Sequence, residues 1–362
     1  MPVPLFDTAT PLAPLRARIA DKVAEVIDGG RYVLGPEVRA FEDEFADYLG
    51  VAHVIGVANG TDALAIGLRA LGVTAGDDVV VPSLTFYATA EAVAAIGARP
   101  VFCDVDPDTR NLTVETVRAV LTPATTAIVA VDLFGLPAPC LELREEFGLP
   151  VLEDAAQAAG SRLHERMAGS FGDAATFSFY PSKNLPCFGD GGVVATDDAQ
   201  VAELARALRF HGSHDKETFE YVGYNSRLDE IQAAILRILL PELDGWSEGR
   251  RAAANAYLEA GIAGHAQVAV PPRGAEPAWH LYVVTHPRAD EVLHALGAAG
   301  IQARGYYRTP LHRQPAMAPF ADSSPAELPV TDRLGATNIA LPISPVFGPE
   351  QAAEVVTALA AA

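Results

Sequence analysis

The chain has 362 residues, half of them hydrophobic and a fifth charged. This places it among ordinary globular proteins, with room for two domains or one large domain and an appendage, and outside the disordered class. Its 46 acidic against 26 basic residues give a net charge of -20, which opposes phosphate backbones and anionic membranes, so neither nucleic acid nor a lipid surface is expected as a partner. Only Lys22, Lys183 and Lys216 are lysines, so chemistry that needs a side-chain primary amine has three candidate positions.

Residues 12–27 carry Leu12, Leu15, Ile19, Val23, Val26 and Ile27 at helical spacing, with Gly29-Gly30 as a stop. A second helix starts at Pro36 and runs through Phe41, Phe45 and Leu49 to Gly50. Apolar strands at 53–58, 78–82, 100–104, 127–132 and 150–153 then alternate with helices near 61–71, 86–96, 113–121 and 138–147. That alternation predicts a mostly parallel sheet covered by helices on both faces. Residues 175–180 and 192–196 read as two more strands around a glycine-rich turn, followed by an Ile- and Leu-rich helix over 228–240 that Pro241 interrupts. Beyond 245 come a helix near 247–261, a strand at 280–285, a helix near 289–299 and Pro-rich turns. The expected organisation is a large α/β domain over 1–245 and a smaller α+β domain over 246–362.

No apolar run reaches the roughly 18 residues of a membrane span, and the N-terminus lacks a basic region followed by an apolar one, so a cytoplasmic location is expected. Cys103, Cys140 and Cys187 are odd in number and scattered, which indicates neither a disulfide framework nor a metal site; the first two read as buried small hydrophobes.

In open α/β sheets, ligands bind beyond the carboxyl ends of the strands. Three polar groups fall there. Asn59-Gly60-Thr61-Asp62 follows a strand and opens a helix, a place where free N–H groups and the helix dipole suit a phosphate; taken alone, it is also an ordinary helix cap. Asp154 ends the run Pro150-Val151-Leu152-Glu153-Asp154, where a carboxylate either caps the next helix or holds a proton on a heteroaromatic nitrogen. Lys183 follows the apolar stretch Phe177-Ser178-Phe179-Tyr180. It is the one lysine placed for partial desolvation, since Lys22 lies on a solvated helix face and Lys216 in a polar stretch. An amine, a carboxylate and a phosphate cradle match the aldehyde, pyridine nitrogen and phosphate of pyridoxal 5'-phosphate (PLP), and Phe86, beyond another strand, suits stacking on the ring.

These residues, with Gly35-Pro36-Glu37-Val38, Val57-Ala58-Asn59-Gly60-Thr61-Asp62, Glu153-Asp154-Ala155-Ala156-Gln157, Pro181-Ser182-Lys183-Asn184-Leu185, Gly223-Tyr224-Asn225-Ser226-Arg227-Leu228-Asp229 and Pro310-Leu311-His312, resemble the DegT/DnrJ/EryC1/StrS family over nearly the whole chain. That family comprises fold-type I, PLP-dependent aminotransferases of nucleotide-linked keto sugars. The resemblance implies that Lys183 holds the cofactor and moves protons, Asp154 pairs with the pyridine nitrogen, Gln157 bonds the ring hydroxyl and Phe86 stacks on the ring. It further implies that Gly60, Thr61 and Ser178 bind the phosphate, with Asn225 reaching it from a second subunit of a homodimer. Tyr180, Tyr306 and His312 match positions near the sugar nucleotide. Pro186-Cys187-Phe188 departs from the small residues common in the family, beside the lysine.

The expected reaction is transfer of an amino group from L-glutamate to a nucleotide-linked keto sugar. By resemblance the acceptor is C-3 of a dTDP-3-keto-6-deoxyhexose, with C-4 amination of a 4-keto sugar and a non-catalytic, PLP-binding regulator as alternatives. A sugar dehydratase on the same fold is disfavoured, because Lys183 is present and the cysteines are too scattered for an iron-sulfur cluster. The pyrophosphate of a nucleotide sugar calls for local arginines, for which Arg31, Arg227, Arg304, Arg308 and Arg313 are candidates.

Overall fold

A computed structural model describes residues 2–325 and 327–362. In chain order it comprises α1 (Arg16–Gly29), α2 (Pro36–Leu49), β1 (His53–Val57), α3 (Gly60–Ala70), β2 (Asp78–Pro82), α4 (Ala88–Ala95), β3 (Arg99–Cys103), α5 (Val114–Arg118), β4 (Thr125–Val131), α6 (Cys140–Phe147) and β5 (Val151–Asp154). There follow β6 (Arg162–Leu163), β7 (Arg166–Met167), β8 (Ala174–Ser178), β9 (Gly192–Thr196), α7 (Ala199–Arg209), α8 (Glu230–Leu239) and α9 (Leu243–Glu259). The last elements are β10 (Gln267–Val268), β11 (Ala275–Glu276), β12 (Tyr282–Thr285), α10 (Ala289–Ala298), α11 (Pro329–Thr337), β13 (Asn338–Leu341) and α12 (Pro349–Ala360).

The central sheet has the order β1-β9-β8-β5-β4-β2-β3. Pairing is parallel from β8 through β5, β4 and β2 to β3, while β9 runs antiparallel to both neighbours. The reversal has a local cause: no helix lies between β8 and β9, and a parallel neighbour requires a crossover. The chain therefore leaves the carboxyl end of β8, makes a loop that carries Lys183 and returns with Gly192 opposite Ser178.

Helices cover both faces. On one, Phe41 and Phe45 of α2 set their rings edge-on to Phe179 and Phe177, with centroids 5.4 and 5.2 Å apart. On the other, α3, α4 and α7 bury Leu64, Ile66, Leu68, Val93 and Leu208 against Ile55, Val79 and Val129. The glycine stops behave as read: Gly30 and Gly50 take φ of 65° and 73° and return their N–H groups to Ile27 and Ala46.

Gly35 has no side chain with which to cap α2, and the missing acceptor comes from far along the chain. Glu230 at the start of α8 accepts from the N–H groups of Gly35 (2.6 Å), Val38 (3.0 Å) and Glu37 (2.9 Å). The helix after Pro241 begins earlier than the periodicity suggests, at Leu243, because Leu240–Glu242 forms a tight helical turn that leads straight into it. The segments α7, α11, β13 and α12 carry no expectation from the sequence reading, although Asp198 caps α7 by accepting from Gln200 and Val201.

Toward the C-terminus, β10, β12 and β13 form an antiparallel sheet with α9, α10 and α12 packed around it, and Tyr257 stacks on Tyr282 at 4.8 Å. The N-terminal strap joins this part, with Val3 pairing beside Ile301. Among the described residues no helix is long and apolar enough to cross a membrane.

Candidate active site

Every strand of the central sheet except β9 points the same way, so their carboxyl ends share one edge. A cavity of about 860 Å³ opens there, lined by Gly60, Thr61, Phe86, Asp154, Gln157, Ser178, Tyr180, Lys183 and Tyr306. Nine residues predicted from the sequence thus share one wall. Its volume suits a cofactor with a sizeable substrate.

The end of the cavity suited to a phosphate is built from backbone. Asn59, not Thr61 or Asp62, caps α3, accepting from the Asp62 N–H at 2.8 Å. Gly60 and Thr61 begin the helix and have no intrahelical acceptor for their N–H groups. A methyl group on Gly60 would lie 2.7 Å from Ser178 Cβ, so glycine is required for the helix end to approach β8 this closely. The result is a cradle of N–H groups and hydroxyls at the positive end of a helix.

Asp154 is 5% exposed and ends β5. Its Oδ2 accepts from the Thr89 hydroxyl at 2.9 Å and its Oδ1 from the Ala156 N–H at 3.3 Å. The Thr85 and Thr89 hydroxyls are 3.2 Å apart, which extends the chain of hydroxyls behind the carboxylate. Burial raises the Asp154 carboxyl above its ordinary value, while the Thr89 bond and the nearby Lys183 charge pull it back. A buried anion of this kind has unused capacity to hold a proton on a ring nitrogen.

Lys183 sits in the β8–β9 excursion, its N–H bonded to Tyr180 O at 2.8 Å. Burial lowers its amine to about 8 against the opposing pull of Asp154, so about a tenth of it is neutral at pH 7, far more than for a solvated lysine. The other lysines are committed elsewhere. Lys22 bridges Glu25 and Glu37, each at 3.0 Å, which raises its value, and Lys216 lies 4.9 Å over the Phe210 ring.

Gln157 is oriented by the backbone: its Oε1 accepts from Phe134 N–H at 2.9 Å, which turns Nε2 outward as a donor, 3.3 Å from the Tyr307 hydroxyl. Phe86 is 53% exposed on the cavity rim, its ring 5.9 Å from that of Tyr307. Two predicted residues stand apart from the wall. Asn225 is exposed and accepts from Arg227, and His312 bonds Ser83 Oγ at 2.6 Å and faces Asp332 at 3.2 Å. Of the candidate arginines, Arg308 and Arg313 pair with Asp290 and Asp332, Arg31 bonds Leu34 O, and Arg304 stacks 5.4 Å over the ring of the cavity residue Tyr306.

Thr89, His280 and Tyr307 are site residues that sequence reasoning missed. Thr89 carried a signal, one helical turn beyond Thr85 after a strand end. His280 and Tyr307 come from the distant C-terminal region, and only tertiary packing brings them here.

The phosphate cradle, the buried carboxylate, the partly neutral lysine and the outward amide donor fit PLP group by group. With the strand arrangement, they define a fold-type I, PLP-dependent aminotransferase. The chain belongs to the DegT/DnrJ/EryC1/StrS aminotransferase family, whose pattern matches residues 14–360. It is 43% identical to the dTDP-3-amino-3,4,6-trideoxy-alpha-D-glucose transaminase of Streptomyces venezuelae, covering 99% of this chain and 95% of that one. It is 42% identical to the UDP-N-acetyl-3-dehydro-alpha-D-glucosamine 3-aminotransferase of Acidithiobacillus ferrooxidans, covering 99% and 97%. The crystal structure of S. venezuelae DesV in complex with a ketimine intermediate superposes with a TM-score of 0.94 at 42% identity, covering 99% of this chain and 98% of that one.

Proposed function

We propose that this protein is a cytoplasmic homodimer that moves an amino group from L-glutamate to C-3 of a nucleotide-linked keto sugar, a dTDP-3-keto-6-deoxyhexose, giving the amino sugar and 2-oxoglutarate. The observation that carries the reading is the convergence of Lys183, Asp154 and the Gly60–Thr61 helix end on one cavity large enough for a sugar nucleotide beside the cofactor. The relatives that aminate C-3 of dTDP- and UDP-linked sugars support the carbon more strongly than the nucleotide.

When bound, PLP supplies an aldehyde that takes up the amino group and a pyridinium ring that absorbs the electron pair released at the α-carbon. Asp154 would keep the proton on the ring nitrogen, with Thr89 holding the carboxylate in place. Gln157 Nε2 would donate to the ring oxygen, and Phe86 would stack on the ring. Gly60, Thr61 and Ser178 would hold the phosphate, joined by Asn225 of the partner subunit. Lys183 Nζ, in its neutral form, would take the proton from the donor's α-carbon and deliver it to the cofactor's C4' carbon, and in the second half-reaction would move a proton the opposite way, to the acceptor carbon of the sugar. Tyr180 and Tyr306 line the sugar side, and Arg304 over Tyr306 is the arginine best sited to offset the protein's negative field at the mouth.

The deciding experiment supplies the protein with glutamate and a panel of 3-keto and 4-keto sugars linked to dTDP or UDP, and reads the aminated carbon by NMR. An amine at C-4 would replace this reading with the alternative regiochemistry. No 2-oxoglutarate with any member of the panel would favour a regulator.

A further inference from the structure

His280 lines the main cavity together with Lys183 and Phe6, and it is 5% exposed. Its Nδ1 is enclosed and unpartnered. Nε2 also lacks a partner among the described residues but is not enclosed, so it is the nitrogen open to the cavity. An enclosed N–H without an acceptor is rarer than a bare lone pair, which assigns the proton of the neutral ring to Nε2, as a donor into the cavity.

The place of this ring is over-determined. Trp279 before it takes φ of 44°, a left-handed backbone that a bulky side chain rarely adopts. Side chains from other segments pin the stretch. Ser161 Oγ accepts from the Ala278 N–H at 2.9 Å, Asn184 Nδ2 donates to Ala278 O at 2.8 Å, and Arg250 Nη1 donates to Trp279 O at 3.0 Å. Phe6 of the N-terminal strap stacks on the imidazole, with ring centroids 6.2 Å apart. Backbone strain held this firmly in a cavity wall is a mark of residues that meet a ligand.

The field at the imidazole is positive. Arg250 is 7% exposed, and burial alone lowers it to about 10, with no charged neighbour contributing. Burial, and then the charges of Lys183 and Arg250, push His280 well below its ordinary value, so the ring is neutral. Among the described residues no carboxylate opposes those charges at the ring. A desolvated donor in a positive field suits an anion, whereas a sugar hydroxyl would use the hydrogen bond and leave the field uncompensated. In the reaction, the anion that must come to Lys183 is the α-carboxylate of the amino-acid donor, bonded directly to the carbon whose proton Lys183 takes.

We propose that His280 Nε2 binds the α-carboxylate of glutamate, and that Arg250 is a positioning residue behind it, clamping the Trp279 peptide and supplying uncompensated positive charge. The proposal rests on the reading of the protein as a glutamate-dependent aminotransferase.

In a crystal of the holoenzyme with 2-methyl-L-glutamate, which binds but has no α-proton to lose, an α-carboxylate oxygen should lie within about 3.2 Å of His280 Nε2. A carboxylate held elsewhere overturns the assignment. Stopped-flow absorbance follows glutamate as it converts the pyridoxal form to the pyridoxamine form. Half-saturation should need about tenfold more glutamate in His280→Leu, the loss of a hydrogen bond to a charged group. His280→Gln, which keeps an N–H donor, should stay within about threefold of the parent, and half-saturation by the dTDP-linked 3-keto sugar in the return half-reaction should move less than about twofold in either variant. Equal rises for both substrates, equal losses in the two variants, or no change in either would each overturn the assignment. Should the parent protein take no amino group from glutamate, the functional reading falls and this proposal with it. Conversion by the parent with unchanged half-saturation in His280→Leu removes His280 alone.

Discussion

The Lys183 amine owes its lowered value to where it is buried rather than to its neighbours in sequence. A solvated lysine titrates at about 10.4, whereas this one is held at about 8. Between those values the unfolded chain holds a proton that the folded chain does not, so this group's contribution to stability rises with pH through that window. Below about 8 the full penalty of burying the ammonium is present. Acylation of Lys183 in cofactor-free protein should therefore follow a midpoint near 8; a midpoint near 10 would contradict the burial. Behind it, Thr89→Val removes a hydrogen bond to a buried carboxylate. This is worth about 1.5 kcal/mol, so kcat should fall roughly tenfold, and unchanged turnover would show that Thr89 does not steady Asp154.

The residue before Asp154 belongs to a different buried pair. Glu153 accepts three N–H groups, from Gly169, Phe171 and Gly172, and is the member that keeps the charge. Burial and that charge push Asp132 well above the usual carboxylate range, so Asp132 holds the shared proton. A raised carboxyl contributes stability fully present below its unfolded value, and that stability is lost as pH rises through the folded value. Asp132→Asn keeps a permanent donor toward Glu153, so its thermal midpoint should gain on the parent protein's as pH rises from about 5 to 9. Parallel curves would exclude the shared proton.

At the scale of elements, the site depends on contacts that join distant segments. The first turn of α2 is capped by Glu230 of α8, which satisfies the N–H groups of Gly35, Glu37 and Val38. Glu230→Ala leaves those donors unmatched and should cost about 3 kcal/mol in urea unfolding; a loss under about 1 kcal/mol would mean that water replaces the carboxylate. The α3 terminus meets β8 only because residue 60 is glycine. Gly60→Ala, with its methyl 2.7 Å from Ser178 Cβ, should weaken PLP binding measured by absorbance while the fold, read by circular dichroism, persists. Unaltered affinity would remove Gly60 from the phosphate cradle.

At the scale of the molecule, Phe188, Phe219, Tyr221 and Val222 are exposed, Val222 at 87%, and Asn225 lies outside the cavity of its own chain. Both features suit a homodimer whose partner completes each site. Lys183→Ala and Asn225→Ala, each inactive by itself, should together recover roughly a quarter of parental activity after mixed refolding, since half the dimers then carry one intact site. No recovery would place Asn225 in its own chain's machinery or in none.

Much of this protein was legible in its sequence, because the signals concerned are local. Strand and helix alternation follows from apolar periodicity, the stops at Gly30 and Gly50 from their tolerance of positive φ, and the chemistry from three polar groups at strand ends. Lys183 could be chosen over Lys22 and Lys216 from its apolar lead-in alone. What required the tertiary structure was everything that joins positions far apart in the chain: Glu230 on α2, and His280 and Tyr307 in the cavity wall. The lowered value of the Lys183 amine belongs to this second group. Desolvation is a property of the surrounding packing, which no stretch of sequence contains by itself.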